Sequence, residues 1–222
     1  MARSDPIRAR ILDSAIRAID AGGEAAVRVR DVCAEAGVAI SLLYYRFRSR
    51  DDLVVGAQVE RYDRSRYRFL EVFRDDIARS RSRDELEQVI DRMLDRERSP
   101  SITESRRIRA SVLGSAISRP KLAAAIVEAD RRFAARHTEV IRPAQDAGWI
   151  RTDLDLPALV IWHAAHQDLR LHREIGEPPV DPTEWDRLVA RVLRAVVFPA
   201  GSSPTTPAAE ERADARRPDS GE

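Results

Sequence analysis

The sequence predicts an all-α protein with an N-terminal three-helix domain followed by a C-terminal helical domain. Apolar residues recur at helical spacing along most of the chain, and Gly, Pro and capping residues separate these stretches. No stretch shows the strict alternation of a half-buried strand. With 222 residues, 43 % of them hydrophobic, the chain can bury a substantial core.

Charge and composition exclude several classes of protein. The net charge of +1 gives no overall basic excess, so any site for nucleic acid must be local. A single cysteine excludes an intramolecular disulfide framework and a multi-cysteine zinc site. No apolar run reaches the roughly 20 residues that cross a bilayer, and the segment after Met1 is amphipathic rather than a signal peptide. We therefore expect a soluble, cytoplasmic protein.

The helices of the N-terminal part are marked by residues that favour helix ends. Ser4 or Asp5 can cap the first helix, and Gly22 ends it. Gly37 separates two short helices, and Asp51 suits the positive dipole end of a longer one. These signals place helices at residues 4–22, 29–36, 40–47 and 51–76.

Proline and glycine divide the rest of the chain into five further helices. The breaks are Ser99-Pro100, Arg119-Pro120, Gly148, Leu156-Pro157 and Gly176-Glu177-Pro178-Pro179. The helices between them span residues 83–97, 102–118, 120–147, 156–174 and 183–198. Residues 199–222 contain no large apolar residue and cannot offset their ordering entropy, so we expect a disordered tail there.

Residues 28–47 form a predicted helix-turn-helix. The inner positions that join its two helices are Val32, Ala36, Val38, Leu43 and Phe47. Only one of Tyr44 and Tyr45 can follow Leu43 inward, so the other is expected at an interface. The outer side of the second helix keeps Ile40, Ser41, Leu42, Tyr45 and Arg46. Residues 1–50 carry a net charge of +3 and residues 51–222 carry −2, so the positive charge lies with the helix pair.

Several short motifs in the first part of the chain occur together in a known family. They are Ile11-Leu12-Asp13-Ser14-Ala15, Val29-Arg30-Asp31-Val32, Ala36-Gly37-Val38, Leu43-Tyr44-Tyr45-Arg46-Phe47 and Ser49-Arg50-Asp51-Asp52-Leu53. In this combination the sequence resembles the tetracycline-repressor (TetR) family of bacterial transcription regulators. The resemblance implies a DNA-binding domain over 5–65, with the helix-turn-helix at 28–47, and a helical effector-binding and dimerisation domain over 66–198.

The resemblance also implies which side chains contact DNA. Arg30 matches a position that can reach a base or a phosphate, and Tyr44 and Arg50 match positions that contact phosphates. Leu42, Tyr45 and Arg46 match positions that face the groove. The full expected contact set is Arg28, Arg30, Ala39, Ile40, Ser41, Leu42, Tyr44, Tyr45, Arg46 and Arg50.

Three residues of the helix-turn-helix depart from the family pattern. Arg28 and Ala39 stand where Ser or Thr often precedes a helix, and Ser41 replaces a frequent Gly. Because Ile40 and Leu42 are apolar, the recognition helix has few hydrogen-bond donors for bases. We therefore expect contacts to thymine methyl groups and a larger share of phosphate and shape recognition.

The C-terminal helices carry more apolar surface than the chain's own core requires. Residues 156–165 are nearly all apolar, and an apolar stripe follows residues 183–198. This pattern fits a homodimer, since the family pairs its last two helices with their twofold mates. The expected interface residues are Leu159, His163, Trp185, Leu188, Val192 and Val196. The expected effector pocket, whose members could equally be plain core residues, comprises Tyr62, Phe69, Met93, Val112, Phe133, His137, Trp162 and His166.

The mechanism implied by the resemblance is a repressor that a small-molecule effector releases from a palindromic operator. Two alternatives remain: a DNA-binding regulator without a small-molecule effector, controlled by a protein partner or acting as an activator, and a helical metal protein or enzyme. His163 and His166 share a helical face with Asp168 nearby, but such spacing is weak support for a metal site.

No catalytic constellation stands out in the sequence. We expect no enzyme activity, no catalytic residues, no cofactor and no metal ion. The expected partners are a double-stranded DNA operator, an unknown small-molecule effector and a second copy of the chain. We expect no association with a membrane.

Overall fold

The computed structural model is built from helices throughout its described part, which comprises residues 5–177 and 180–199 apart from the side chains of 67–72 and 173. No strand occurs in these residues, so the predicted all-α class is confirmed. Two short 3-10 helices span Glu24–Ala26 and Leu169–Arg173. The α-helices are α1 Pro6–Gly22, α2 Val29–Ala36, α3 Ile40–Arg46, α4 Arg50–Arg79, α5 Arg83–Arg96, α6 Pro100–Ile117, α7 Pro120–Asp146, α8 Leu156–Asp168 and α9 Pro182–Val197.

The end of α8 differs from the predicted helix over 156–174. The α-helix stops at Asp168, and the chain continues as the tighter 3-10 helix. In this turn Arg170 is buried, and its guanidinium lies 2.9 Å from carboxylate oxygens of both Glu97 and Asp186. The pattern of the sequence treats Arg170 as a surface residue, so it could not anticipate a turn that brings this side chain inward.

Side-chain caps fix the starts of the two helices that frame the N-terminal domain. The Asp5 carboxylate accepts hydrogen bonds from the backbone N–H groups of Ile7 (3.1 Å) and Arg8 (3.2 Å) at the start of α1. The Ser49 hydroxyl accepts one from the N–H of Asp52 (3.0 Å) at the start of α4. Of the two predicted caps for α1, Asp5 is therefore the one used among the described residues.

Helix α4 contributes to two separate groups of buried residues. Its first turns place Leu53 and Ala57 in a core formed with α1, α2 and α3. Val55 and Tyr62 instead pack with residues of α6 and α7. An α-helix of 30 residues is about 45 Å long and behaves as a rigid rod over a few turns. Through α4, the two cores are mechanically connected.

The far end of the molecule is formed by α5, α7, α8 and α9 around a third core. Its members include Leu86, Ile150, Leu193 and Val197. None of the described helices is both long enough and apolar enough to cross a membrane. Within the predicted tail over 199–222, residues 200–222 lie outside the described residues.

Candidate nucleic-acid interface and internal cavity

Residues 28–47 fold as the helix-turn-helix that the sequence predicts. Helix α2 ends at Gly37, whose φ of 64° lies in the left-handed region that favours glycine. The N–H of Val38 donates to the carbonyl of Cys33 at 3.0 Å. This hydrogen bond satisfies the last turn of α2 and directs the chain into α3.

The inner side of the helix pair is fully packed. Val32, Ala36, Leu43 and Phe47 are buried in the core with α1 and α4, as predicted, and Val38 is partly buried against them. Cys33 is also buried there. Burial raises the pKa of the Cys33 thiol, so it stays protonated and packs as a small apolar group.

The outer side of α3 exposes large apolar and aromatic side chains. Ile40 is 43 % exposed, Tyr44 47 % and Tyr45 79 %. The prediction that one of the two tyrosines turns inward is wrong. Leu43 and Phe47, one helical turn apart, occupy the inward stripe, and the two positions after Leu43 point away from it.

The other residues that were expected to contact DNA differ in their exposure to solvent. Arg28, Arg30, Ala39 and Ser41 are exposed, whereas Leu42 is half-buried.

Two of the arginines that were expected to contact DNA, Arg46 and Arg50, already bind other groups within the protein. The Arg46 guanidinium lies 2.9 Å from the Asp5 carboxylate. Arg50 donates to the carbonyls of Val27 (2.7 Å) and Glu24 (2.5 Å), which anchors the start of α4 to the turn before α2. A phosphate contact from Arg50 would share the guanidinium with these two carbonyls.

A polar brace that sequence reasoning missed holds α2 against α1. Glu35 of α2 accepts hydrogen bonds from the Ser14 hydroxyl (2.6 Å) and the Arg17 guanidinium (2.5 Å) of α1. These two donors lower the pKa of the Glu35 carboxyl, so it is ionised at neutral pH. These hydrogen bonds add a polar contact between α1 and α2 to the apolar core that the two helices share.

A second missed group connects the N-terminal domain to the corner between α6 and α7. The Glu24 carboxylate accepts hydrogen bonds from Gln58 (2.7 Å), Ser115 (2.9 Å) and Arg119 (2.5 Å). Arg119 also reaches Asp51 at the start of α4 (2.6 Å). We call Glu24, Gln58, Ser115 and Arg119 the Glu24 joint. In the sequence, Arg119-Pro120 marks only a break between two helices.

An internal cavity of about 100 Å³ lies between α4, α5, α7, α8 and α9. Met93 and His137, both expected in an effector pocket, line it. Leu159 and His163, which were expected at a dimer interface, also line it. The described lining residues are Arg74, Ile77, Leu86, Ile90, Met93, Leu94, His137, Val140, Ile141, Ile150, Leu159, Val160, His163, Leu193 and Val197.

Tyr62, Val112 and Phe133, which were also expected in the effector pocket, pack elsewhere than around the cavity. Tyr62 and Val112 are buried in the second core, and the Tyr62 hydroxyl donates to Asp130 at 3.0 Å. The Arg66 guanidinium lies 3.8 Å from the ring centre of Phe133.

Trp162 and His166, which were also expected in the effector pocket, do not line the cavity. Trp162 is 36 % exposed, and its ring centre lies 5.6 Å from that of His166. The side chain of Phe69 falls outside the described residues.

The remaining expected interface residues lie on α9. Leu188 is 56 % exposed and Val192 40 %, whereas Trp185 and Val196 are half-buried. We call the three large apolar side chains that are exposed on α8 and α9, which are Trp162, Leu188 and Val192, the apolar strip. No group of three or more potential metal ligands occurs among the described residues.

Solved structures of other proteins share this architecture. A protein from Rhodococcus sp., described as a TetR-family transcriptional regulator, is 25 % identical, with a TM-score of 0.61, over 86 % of this chain and 98 % of that one. A transcriptional regulator from Saccharomonospora viridis in complex with choline is 19 % identical, with a TM-score of 0.56, over 86 % and 97 %. The multidrug binding protein EbrR complexed with imidazole is 23 % identical, with a TM-score of 0.56, over 87 % and 92 %. Among curated proteins, no match to the sequence is found.

The N-terminal domain also matches a family at the level of sequence. Residues 11–57 match the family described as bacterial regulatory proteins, tetR family. This stretch runs from the buried side of α1 through the helix-turn-helix into the first turns of α4, which are the elements that hold α3 outward. The N-terminal domain is therefore a DNA-binding domain of the tetR type, and the described chain has the fold of a TetR-family transcriptional regulator.

Proposed function

We propose that the protein is a homodimeric repressor that acts in the cytoplasm, binds a palindromic operator through α3 and leaves it when a small molecule enters the cavity. The outer side of α3 is the observation that carries the first part of this proposal. Ile40, Tyr44 and Tyr45 are exposed there, although all three are costly to leave in water without a partner. The opposite side of α3 packs through Leu43 into the core of the N-terminal domain.

Recognition of the operator would combine apolar base contacts with phosphate contacts. Ile40 can pack on thymine methyl groups in the major groove, while Tyr44 and the exposed Arg28 and Arg30 can donate to phosphates. A helix with few base-directed donors derives more of its specificity from DNA shape. The operator is therefore expected to be rich in thymine at the positions nearest Ile40.

Dimerisation would use the apolar strip on α8 and α9. Trp162, Leu188 and Val192 are exposed on these neighbouring helices in one chain, which is typical of a face that pairs with its twofold mate. A twofold axis through this strip would present two copies of α3. Two such helices about 34–36 Å apart match successive turns of one face of B-DNA.

Release by an effector would act through α4. The last turns of this helix contribute Arg74 and Ile77 to the wall of the cavity, while its first turns pack under α3. A ligand that binds one position of α4 more tightly than another shifts the spacing of the two copies of α3. A coupling of about 1–3 kcal/mol is typical of such systems. The complexes of related folds with choline and imidazole support the idea of a small-molecule site.

Two experiments test the proposal. Selection of bound sequences from random DNA should yield an inverted repeat, and replacing thymine by uracil in its half-sites should weaken binding. A sequence without twofold symmetry would contradict the dimeric mode.

Light scattering on the purified protein should give a dimer, which Leu188→Asp converts to a monomer. Val127→Asp is the matched control, because Val127 is 47 % exposed on α7, outside the strip. Equal behaviour of the two variants would contradict the proposed interface.

A further inference from the structure

The internal cavity is large for a space inside a protein. Protein interiors are close-packed, and few of their voids exceed the size of a water molecule. The space here is about 100 Å³ and is bordered by five helices. An engineered apolar cavity of about 150 Å³ in another protein stays dry and binds benzene or xenon. A molecule with one ring or a short chain is therefore the occupant that this space fits.

The surface of the cavity is almost wholly apolar. Twelve of its fifteen described lining residues are aliphatic or Met, and nearly all of the surface that the lining presents to the space is apolar. A polar group placed there would lose its hydrogen bonds to water and gain almost none from the protein. The surface therefore selects against polar ligands as well as rewarding apolar ones.

The two histidines of the lining use their ring nitrogens within their own helices. The Nδ1 of His137 donates to the carbonyl of Phe133 at 2.7 Å, and the Nε2 of His163 lies 3.3 Å from the Nε2 of Gln167. Burial and the nearby His166 lower the pKa of His163 to about 4, so this ring is neutral at pH 7. Neither ring presents the polar surface that a charged head group would need.

Arg74 contributes little to the surface of the cavity. Its side chain is 41 % exposed, and its Nε lies 3.4 Å from the Asp75 carboxylate. Because nearly all of the cavity surface is apolar, the guanidinium can form hardly any of it. No carboxylate occurs among the described lining residues either. An ion of either sign would thus leave water for a surface that cannot replace its hydration.

We propose that the cavity binds a small uncharged apolar molecule, with one ring or a short chain, and excludes ions of the same shape. This inference rests on the proposed function, since it names the class of the effector. Burial of the ligand's apolar surface would supply the affinity. Ile77 of α4 lies on the cavity wall, so the ligand would contact the helix whose first turns pack under α3.

A matched set of three ligands tests the selection against charge. Toluene, benzoate and benzylammonium share one ring, and at pH 7 they are uncharged, anionic and cationic. Calorimetric titration of the DNA-free protein in a sealed cell compares them directly. Toluene should bind at least about tenfold more tightly than either ion, because each ion must give up its hydration. An ion whose affinity lies within tenfold of that of toluene, or no binding of toluene up to its solubility, would overturn the proposal.

Variants place the site on the structure. Val140→Phe on α7 and Leu94→Phe on α5 fill the cavity from two different helices, since both side chains line it. Each folded variant should bind toluene at least about tenfold more weakly than the parent. Val127→Phe is the matched control, because Val127 is 47 % exposed on α7 and does not line the cavity. Unchanged toluene affinity in a folded cavity variant, or an equal loss in Val127→Phe, would overturn the assignment of the site. The comparison of the three ligands needs no variant.

A separate measurement distinguishes this inference from the proposed function. Toluene is added to the protein bound to its selected operator, and DNA release is followed by fluorescence anisotropy. Binding of toluene without release would uphold the ligand class and contradict release by an effector. Release by a molecule of another class, with no binding of toluene, would contradict the ligand class and uphold the proposed function.

Discussion

Replacing Arg119 by alanine should destabilise the protein by opening the Glu24 joint. The Arg119 guanidinium lies 2.5 Å from the Glu24 carboxylate, and both side chains are less than one-third exposed. A charged hydrogen bond in such a setting contributes about 1–2 kcal/mol to the free energy of unfolding. The second contact of Arg119, to the more exposed Asp51, adds little. In a protein of this size the loss corresponds to a fall in Tm of about 2–8 °C.

Urea unfolding followed by circular dichroism measures this change. Arg131→Ala is the matched control, because the Arg131 side chain is 72 % exposed and pairs with Glu128 on its own helix at 3.2 Å. That variant should stay within about 0.5 kcal/mol of the parent. A double-mutant cycle with Glu24→Gln isolates the interaction energy of the pair. If Arg119→Ala were as stable as Arg131→Ala, the Glu24 joint would not hold the two domains together.

Three further predictions concern single side chains. Tyr45→Ala should weaken operator binding several-fold without a change in Tm, since the ring is 79 % exposed; an equal loss of stability would indicate a packing role instead. Leu43→Ala should lower the free energy of unfolding by about 2–5 kcal/mol, because this side chain is fully buried behind α3, and a cost below about 1 kcal/mol would contradict that packing. Burial lowers the pKa of His163 from 6.5 to about 4, so between these values the unfolded chain binds more protons and stability falls as the pH drops. His163→Gln should remove about 3 kcal/mol of that loss in urea unfolding between pH 7 and pH 4, and identical pH profiles would refute it.

Structural features that depend on residues close together in the sequence could be predicted. The turn at Gly37 and the inward pair Leu43 and Phe47 follow from local conformation and helical spacing, and the structure shows both. The exposed position of Ile40 follows from the same spacing. The helix-turn-helix is compact and continuous in sequence, so its turn and its buried positions could be predicted without knowledge of the rest of the fold.

Structural features that depend on contacts between residues far apart in the sequence could not be predicted. Arg106 and Arg109 of α6 have the composition of a surface face, yet both are buried. Arg106 pairs with Glu174, and Arg109 lies 2.7 Å from Asp168. Helical periodicity treats every arginine as polar and outward, so it cannot show which ones meet a carboxylate from another element.

The cavity could not be assembled from the sequence for the same reason. Its walls come from five helices, and the helical face of His163 did not reveal whether the ring met another subunit or an internal space. Leu159 lies on the same wall, although its spacing fitted a dimer interface equally well. The choice between these surroundings is made by the packing of α8 against α7, which no local pattern records.

Fluorescence anisotropy tests most directly whether α3 reads a specific DNA sequence. The protein is titrated against labelled DNA from upstream of its own gene and against scrambled DNA of equal length, at two salt concentrations. We expect sequence-dependent binding that persists at the higher salt and is lost in Arg30→Ala and in Tyr44→Ala. Weak binding that falls equally for both DNAs as salt increases, with no effect of either variant, would contradict the claim, since it would reflect attraction to phosphates alone.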